Sequence, residues 1–431
     1  MGRSDFMQAF MSIWISFVML FVNFVPGFVP PKEKKSDVDK NYPYVFVHGF
    51  LGWGRDEGIN DDIPYWGATS CNLIKNIKDE GYECYAASVG PLSSNWDRAC
   101  ELYAQLTGTR VDYGEAHSQQ HNHARYGRTY DAPMFKNWGK KDKNGLINKV
   151  NLIGHSFGGN TVRLLQGLLE SGAPEEVKAS GKKNVSPLFK GGKGDWVNTV
   201  VTICSPNNGT TLKYIIEELH LVKLAFTVAL LWAGFFGRSP VNGYFDFHLE
   251  QFGLTDIPEG NVTAVDLFRA MSLVMNAEYD NVAYDLSPEG AKDLNNRIGI
   301  SDDVYYFSYA FTTTKEVPLI KTHATIPSTL FILIPFGDMM GTYKKNRSTD
   351  YPIDEQWLEN DGLVNLISAK YPFDDPHTDY NPKKIKTGIW NVMPVSTGDH
   401  GNAIGIGVSE EQTMEFYNGM IDMIEKLPVI K

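Results

Sequence analysis

Short apolar runs bounded by polar turns alternate along the chain with longer segments whose apolar residues recur at helical spacing. The short runs predict buried strands over residues 43–47, 83–89, 150–153, 198–204 and 304–311. The periodic segments predict helices over residues 66–81, 98–106, 160–170, 264–284, 291–297 and 410–426. Residues 173–194 are polar and carry several glycines and lysines, which predicts a surface loop. This succession fits one large α/β domain that carries insertions.

The predicted strand over 150–153 leads into the helix over 160–170 through the pattern G-x-S-x-G, formed by Gly154, Ser156 and Gly158. In this strand–turn–helix context the pattern is that of a nucleophile elbow. Glycines let the strand and helix approach closely, and the turn lifts the serine oxygen above the sheet edge. The turn also sets the N–H of Phe157 at the helix start, where it can hold an oxyanion. We therefore predict Ser156 as a nucleophile and Phe157 as a backbone donor.

A second donor is expected in the loop that follows an early strand. The run over 43–47 ends in His48-Gly49-Phe50, so the backbone N–H of Phe50 is the candidate. His48 is predicted to order this loop by hydrogen bonding. In the chain order of such sites the base comes late, which argues against His48 in that role.

A serine nucleophile needs a histidine base and a carboxylate that orients the base. Two of the histidines after Ser156, His220 and His248, fall in or near a strongly apolar segment. His400 lies in a glycine-bearing loop just before the last predicted helix, the usual place of the base, and is preferred over His323 and His377.

The carboxylate is less sharply defined by the sequence. Asp361 occupies an Asn-Asp-Gly turn ahead of an apolar segment, which makes it the leading candidate. Three rivals in a more polar loop stay open at this point: Asp374, Asp375 and Asp379.

Two long apolar stretches stand out. Residues 6–29 are almost wholly apolar and end among prolines, which predicts a signal peptide or signal anchor over 1–31 and entry into the secretory pathway. Residues 212–236 lack proline, and lack glycine until Gly234. They fit either a buried core helix or a helical lid, spanning about 207–255, that covers the serine.

Composition narrows the choice of function. The chain has 431 residues, 42% hydrophobic and 21% charged, with a net charge of −11, which supports a large core and argues against nucleic-acid binding. Four cysteines without a C-x-x-C pattern argue against a cysteine-based zinc or redox site. Cys71 and Cys84 could pair in a secreted chain, and free buried thiols are an equal expectation for Cys100 and Cys204.

Three histidines fall within seven residues, at His117, His121 and His123, and Asp97 precedes them. Neutral imidazoles and carboxylates suit tetrahedral Zn²⁺. The alternative is a solvated cluster that arose by chance, and spacing alone does not decide between the two.

Several segments carry motifs long enough to be specific. They are VHGFLGWGR at 47–55, VGPLSSNWDRAC at 89–100, VDYG at 111–114, HARYGRTY at 123–130, GTTL at 209–212, YDLS at 284–287 and ENDG at 359–362. Together they resemble the zinc-containing lipases of the staphylococcal and thermophilic Bacillus type, over residues 42 to 430. The N-terminal apolar stretch lies outside this resemblance.

The resemblance implies an α/β-hydrolase fold, with a mostly parallel central sheet flanked by helices, as one domain over 32–431. It also implies a zinc-bearing insertion at about 90–130 and a helical lid. The implied triad is Ser156, Asp361 and His400, with Phe50 and Phe157 as backbone oxyanion donors. The implied ligands of a structural Zn²⁺ are Asp97, His117, His123 and Asp280, and His121 is left outside the set. Asp280 comes from the resemblance alone.

The implied activity is hydrolysis of lipid carboxylic esters, triacylglycerol above all, at an oil–water or membrane interface. Alternatives are a phospholipase or lipid acyltransferase that uses the same triad, or a lipid-binding protein without catalysis. Related lipases also hold Ca²⁺ through carboxylates just after the base. Residues 401–408 contain no acid here, so we expect that calcium site to be absent or weak.

Overall fold

The computed structural model describes residues 42–218, 248, 279–345 and 352–430. The predicted signal segment over 1–31 and most of the predicted lid and of the helix over 264–284 lie outside the described residues. Across the described ranges, no helix is both long and apolar enough to cross a bilayer.

A seven-stranded sheet forms the centre of the domain, and each pair of neighbouring strands is parallel. From one edge to the other its strands are His377–Asp379, Trp390–Val392, Tyr305–Tyr309, Val197–Ile203, Val150–His155, Tyr44–Val47 and Cys84–Ala87. The central strands are buried along their whole length, as expected for a parallel sheet covered on both faces. This sheet confirms the predicted α/β class.

Helices cover both faces of the sheet. The α-helices of the described residues are Ile59–Asp62, Leu73–Asp79, Asn95–Thr107, Glu115–His121, Phe157–Ser171, Pro174–Asn184, Thr211–Glu218, Val282–Asp285, Pro288–Arg297, Ile334–Met340, Leu366–Lys370 and Glu410–Glu425. Short 3₁₀ turns lie at Pro187–Lys190, Gly194–Trp196, Glu355–Trp357 and Asn402–Ile404. Successive strand residues face opposite sides, so Ile153 packs into one core cluster and Leu152 into the other.

Three pairs of short strands lie outside the main sheet. They are Arg110–Asp112 with Tyr126–Thr129, Phe311–Thr312 with Ser396–Thr397, and Thr314–Val317 with Thr322–Thr325. The first pair belongs to the insertion that carries the histidine cluster. The third is a hairpin that follows directly from the central strand Tyr305–Tyr309.

Two of the local predictions were wrong. The helix predicted over 66–81 begins only at Leu73, because Gly67 and Ala68 have φ of 97° and 31° and Asn72 caps the helix by accepting from the N–H of Lys75. The loop predicted over 173–194 contains the helical segment Pro174–Asn184, which has proline in its first turn and is interrupted at Gly181, where φ is 71°. Cys71 and Cys84 do not pair. Both thiols are free, and that of Cys84 donates to the carbonyl of Ile74 at 3.4 Å.

Candidate active site and metal centre

Ser156 stands at the carboxyl end of a central strand, directly before the helix Phe157–Ser171, in a strained backbone conformation with φ of 54° and ψ of −130°. Close backbone contacts require glycine on both sides of this turn. A Cβ on Gly154 would lie 2.4 Å from the backbone of Gly158, and one on Gly158 would lie 2.1 Å from the carbonyl oxygen of Val47. The serine therefore sits on a sharp strand-to-helix turn, as the sequence predicted.

The loop that follows the strand Tyr44–Val47 passes beside this turn. A Cβ on Gly49 would lie 2.7 Å from the Cβ of Ser156, so only glycine permits the approach. Within the described residues, the N–H groups of Phe50 and Phe157 donate no backbone hydrogen bond. Two free donors thus flank the serine, an arrangement that suits a developing oxyanion.

A buried arginine ties the two donor segments together. Arg98 donates from Nη2 to the carbonyl of His48, from Nη1 to the carbonyl of Gly90 at 2.9 Å, and from Nε to Thr161 Oγ1 at 2.9 Å. Its guanidinium lies 5.0 Å from the ring centroid of Phe157. Burial lowers the pKa of Arg98 to about 10, so the group stays charged at neutral pH.

His48 orders the same loop, as predicted. Its Nε2 accepts from the N–H of Val89 at 3.3 Å, so its Nδ1 carries the proton that is donated to the carbonyl of Gly49 at 2.9 Å. Burial, reinforced by the charge of Arg98, holds the pKa of His48 well below its ordinary value. A neutral imidazole with both nitrogens occupied has a supporting role.

Asp361 and His400 form a buried pair at the same sheet edge. His400 Nδ1 lies 2.8 Å from Asp361 Oδ2, and the backbone N–H of His400 donates to the carbonyl of Asp361 at 2.9 Å. The other carboxylate oxygen of Asp361 accepts from the N–H groups of Leu363 and Val364, at 3.0 and 2.8 Å. The aspartate is therefore fixed by its own turn and can hold one tautomer of the imidazole, with Nε2 left free.

His155 links this pair to the serine turn. Its ring centroid lies 4.7 Å from that of His400, and its Nε2 lies 3.2 Å from the carbonyl of His400. A carbonyl only accepts, so Nε2 carries the proton. Burial holds the pKa of His155 well below its ordinary value, so Nδ1 is an acceptor and receives the hydroxyl of Tyr65 at 2.7 Å. Tyr65 Oη in turn accepts from the N–H of Gly49 at 2.9 Å, which completes a chain from the donor loop to His400.

Cys204 occupies the end of the next strand, with φ of 51°. Its sulfur lies within 4.8 Å of ring nitrogens of both His155 and His400. Burial, together with the negative charge of Asp361, raises the pKa of Cys204 well above its ordinary value. The thiol is thus a protonated neighbour of the Asp361–His400 pair.

The alternative candidates for the base and the carboxylate lie elsewhere. His377 is exposed on an edge strand and stacks on Tyr371, and His323 belongs to the outer hairpin. Asp375 accepts from the indole of Trp390 at 2.9 Å, while Asp379 is exposed on the same edge strand as His377. Among the candidates, Asp361 and His400 are in mutual contact, and His400 lies against His155, the residue that precedes Ser156.

A second cluster forms in the insertion. Single ligand atoms of Asp97, His117, His123 and Asp280 all lie within 4.8 Å of one another. His117 Nε2 lies 3.3 Å from Asp97 Oδ1 and 3.2 Å from Asp280 Oδ1, and His123 Nε2 lies 3.4 Å from Asp280 Oδ2. Asp97 is in the first turn of the helix Asn95–Thr107.

These side chains fit a tetrahedral cation. Asp97 Oδ1, His117 Nε2 and His123 Nε2 are buried and lack a hydrogen-bond partner, although each points to the same centre. His123 donates from Nδ1 to the carbonyl of Ala124 at 2.9 Å, which leaves Nε2 as the free ligand nitrogen. Two carboxylates and two imidazoles are ligands that Zn²⁺ accepts, and four protein ligands leave no open position.

The surroundings hold the ligands in place. The indole of Trp96 stacks on His117 with ring centroids 5.0 Å apart. The carboxylate of Glu176 accepts from the N–H groups of Ala116 and His117, at 2.9 and 2.7 Å. His121 lies 4.7 Å from His117 between ring centroids, yet it contributes no atom to the four-ligand group.

The loop around His400 uses its polar side chains in hydrogen bonds within the protein. Asp399 accepts from the N–H groups of Leu330, Gly401 and Asn402. The side chain of Asn402 makes two hydrogen bonds within the loop. Its Nδ2 donates to the carbonyl of Ile406 at 3.0 Å, and its Oδ1 accepts from the N–H of Asp399 at 2.7 Å. The side-chain oxygens of Asp399 and Asn402 therefore already accept hydrogen bonds, and residues 401–408 add no carboxylate.

Comparison with known proteins agrees with this architecture. The family model described as "Lipase-like, C-terminal domain" matches residues 40–428, and the chain belongs to that family. It is 33% identical over 403 residues to Lipase 1 of Staphylococcus aureus, which covers 91% of this chain and 56% of that protein. The chain spans about half the length of the curated relatives it matches.

Solved structures are similar over nearly the whole chain. EstA from Clostridium botulinum has a TM-score of 0.77 at 36% identity, covering 95% of this chain and 97% of that one. Lipase 1 from Pelosinus fermentans has a TM-score of 0.76 at 37% identity, covering 90% of this chain and 100% of that one. The predicted family and fold are thereby confirmed.

Proposed function

We propose that the chain is a lipase that hydrolyses carboxylic esters of lipids, triacylglycerol above all, through an acyl-enzyme on Ser156. The observation that carries the proposal is the 2.8 Å contact between His400 Nδ1 and Asp361 Oδ2 at the sheet edge where Ser156 occupies its strained turn. A histidine held by a buried carboxylate, at the end of the sheet where a serine occupies a strained turn, is the arrangement expected to activate a hydroxyl.

In the first half-reaction, Ser156 Oγ attacks the ester carbonyl carbon and its proton passes to His400 Nε2. The carbonyl oxygen becomes an oxyanion, which the free N–H groups of Phe50 and Phe157 stabilise. When the tetrahedral intermediate collapses, the bond to the alkoxy oxygen breaks. His400 returns the proton to that oxygen, and the alcohol leaves.

In the second half-reaction, His400 takes a proton from water as the water oxygen attacks the acyl carbon. The same two N–H groups hold the new oxyanion. The bond to Ser156 Oγ then breaks, the serine regains its proton from His400, and a fatty acid is released. Asp361 keeps the imidazole in one orientation and stabilises its charged form throughout.

The proposal is tested by fatty-acid release from tributyrin and triolein, below and above their solubility limits, for the wild-type protein and Ser156→Ala. We expect release to rise when substrate forms an interface, because residues 212–236 are proposed to act as a lid, and to fall by about 10⁴-fold or more in the variant. Activity confined to dissolved short esters would contradict the lipase assignment. Equal turnover in both proteins would contradict the nucleophile.

We further propose that Asp97, His117, His123 and Asp280 hold a structural Zn²⁺, which would neutralise the buried carboxylates and join the insertion to the segment around Asp280. The orphaned ligand atoms support this assignment. We also propose export through the apolar segment over 6–29, which fractionation of expressing cells would test.

A further inference from the structure

The hairpin formed by Thr314–Val317 and Thr322–Thr325 ends in an exposed apolar turn. We call residues 318–321 (Pro318, Leu319, Ile320 and Lys321) the hairpin tip. Leu319 is 101% exposed and Ile320 is 64% exposed. An isolated exposed leucine needs no explanation, but two adjacent branched apolar residues at the outermost point of a hairpin form a surface that water solvates poorly.

The backbone of the tip makes the choice of residues more unusual. Leu319 has φ of 78° and Lys321 has φ of 50°, in the left-handed region. Turns with such angles favour glycine, asparagine or aspartate, which adopt them at little cost. A leucine at this position is unfavourable for the turn itself and places its whole side chain in solvent. Local stability therefore does not account for Leu319, and an external partner can.

The base of the hairpin is hydrogen-bonded to the two loops that carry Asp361 and His400. The N–H of Thr313 donates to the carbonyl of Asn360 at 2.9 Å, and the N–H of Asn360 donates to Thr314 Oγ1 at 3.0 Å. The returning strand leads to Leu330, whose N–H donates to Asp399 Oδ2 at 2.8 Å. Asn360 and Asp399 immediately precede Asp361 and His400, so the hairpin is anchored at the sheet edge that carries the site.

The hairpin also extends away from that edge. It continues from the carboxyl end of Tyr305–Tyr309, which is parallel to the strand that ends at His155. Arms of four residues place the tip roughly 13 Å beyond the base. Six large apolar side chains are exposed in the described residues, and four of them, Phe50, Leu319, Ile320 and Phe331, belong to segments that contain or adjoin the site. Apolar exposure is thus concentrated on the side of the molecule where substrate must arrive.

The charges around the tip suit a lipid surface. Lys315 and Lys321 are exposed on the hairpin. Glu316, in the same strand as Lys315, is exposed as well. Lys344 donates from Nζ to the carbonyl of Lys321 at 2.8 Å and contacts Glu355 at 3.4 Å. In a chain with a net charge of −11, this places cations beside the apolar tip. Lysines with long apolar stems can bury those stems while the ammonium groups meet phosphate or carboxylate headgroups.

From these observations we infer that the hairpin tip is a lipid-surface anchor, which inserts Leu319 and Ile320 among acyl chains and positions the catalytic edge over the interface. The inference deepens the proposed lipase function, on which its physiological purpose rests. It also separates binding at the interface from the chemistry at Ser156, because the tip makes no contact with the reacting groups.

The test uses Ser156→Ala protein, so that no product accumulates, and vesicles of phosphatidylcholine with and without phosphatidylglycerol. The anchor variant combines Leu319→Asn, which suits the left-handed backbone, with Ile320→Ser. Burial of each side chain in lipid is worth about a tenfold change in partitioning or more, so we expect binding to both vesicle types to weaken by at least about tenfold. Tyr126→Ser, which removes another exposed ring, on the strand Tyr126–Thr129 outside the hairpin, is the matched control and should bind like the parent. Thermal unfolding should show that the anchor variant is folded.

In the background with Ser156 intact, the anchor variant should keep its kcat/KM on a dissolved short-chain ester and lose activity on emulsified triolein. Unchanged vesicle binding by the anchor variant would overturn the proposal. A loss of binding seen only on the anionic vesicles would also overturn it. So would a parent protein that does not bind vesicles and differs from the anchor variant only in oligomeric state. A failure of the proposed function gives a different result. In that case the vesicle binding still depends on the hairpin tip, but the wild-type protein hydrolyses no ester.

Discussion

The imidazole of His155 donates a hydrogen bond to the backbone carbonyl of His400, 3.2 Å away, and so joins the residue before Ser156 to the histidine proposed as its base. The other nitrogen of His155 accepts from Tyr65, which also accepts from the N–H of Gly49. One buried chain of hydrogen bonds therefore spans the donor loop, the serine turn and the loop of the base. We expect its members to position the proposed reacting groups.

Tyr65→Phe should break this chain while preserving the ring. The N–H of Gly49 and Nδ1 of His155 would lose their partner, which is expected to lower the free energy of unfolding by about 1–3 kcal/mol. Because the donor loop and base would lose their common link, we expect kcat on a dissolved ester to fall by about 10- to 100-fold, with a smaller change in KM. Steady-state kinetics and urea unfolding measure the two effects.

Tyr305→Phe is the matched control for that variant. Tyr305 is buried and its hydroxyl donates to the carbonyl of Pro428 at 3.2 Å, away from the site. It should lose about 1 kcal/mol of stability and keep its kcat. If Tyr65→Phe changed stability alone, as this control does, the positioning role would be refuted.

Acid should destabilise the fold through its buried neutral histidines. Burial holds the pKa values of His48 and His155 well below the ordinary value. Below about pH 6.5 the unfolded chain binds protons at these residues that the folded chain does not, so the free energy of unfolding falls as pH decreases from there. Each histidine can contribute up to about 1.4 kcal/mol per pH unit. Above about pH 6.5 these two residues contribute no slope.

Urea unfolding of wild-type protein and His48→Asn across this pH range measures the effect. The free energy of unfolding should fall less steeply with decreasing pH in the variant, because one buried neutral histidine has been removed. Burial raises the pKa of Asp399 to about 6, which gives a slope of opposite sign between about pH 4 and pH 6 in both proteins and cancels in the comparison. Identical slopes in the two proteins would rule out the assignment to His48.

The metal centre can be tested with two neighbouring histidines. His117→Ala removes a proposed ligand, whereas His121→Ala removes a ring 4.7 Å away that lies outside the ligand group. We expect one equivalent of zinc, by elemental mass spectrometry, in wild-type protein and His121→Ala, and a large loss of zinc in His117→Ala. Melting temperature should fall with the metal, because two buried carboxylates would lose their counterion. Equal zinc content in both variants would contradict the ligand assignment.

Calcium should have little effect on this protein. Asp399 and Asn402 already make hydrogen bonds with each other and with the loop backbone. Residues 401–408 provide no carboxylate. We expect the melting temperature of the zinc-loaded protein to stay constant when calcium is added. An increase at micromolar calcium would show a cation site that this loop does not explain.

The parts of the site that are local in sequence could be predicted, and those that depend on distant contacts could not. The elbow is contained in about 20 residues, where apolar periodicity and glycines act together, so its strand, turn and helix follow from sequence. Asp280 lies more than 150 residues from His117, and only a family resemblance pointed to it. Tyr65 gave no signal, because a buried tyrosine is ordinary until its hydroxyl is seen between Gly49 and His155.

The wrong predictions have the same cause. The helical segment Pro174–Asn184 was missed because it is largely exposed and lacks an apolar stripe, yet its buried Glu176 accepts from two N–H groups of the helix Glu115–His121. In the segment predicted as helix from residue 66, the helix starts only at Leu73, and the N–H of Gly67 instead donates to the carbonyl of Ile404 at 3.0 Å. In both cases a tertiary contact outweighed local propensity.

The central claim, that Ser156 is the nucleophile served by His400, is tested most directly by covalent capture. We would treat the protein with a p-nitrophenyl alkylphosphonate ester and locate the adduct by peptide mass spectrometry. The account predicts one adduct, on the peptide that contains Ser156, loss of ester hydrolysis in proportion to its formation, and no adduct in Ser156→Ala or His400→Ala. An adduct at another residue, or hydrolysis that continues after Ser156 is fully modified, would contradict it.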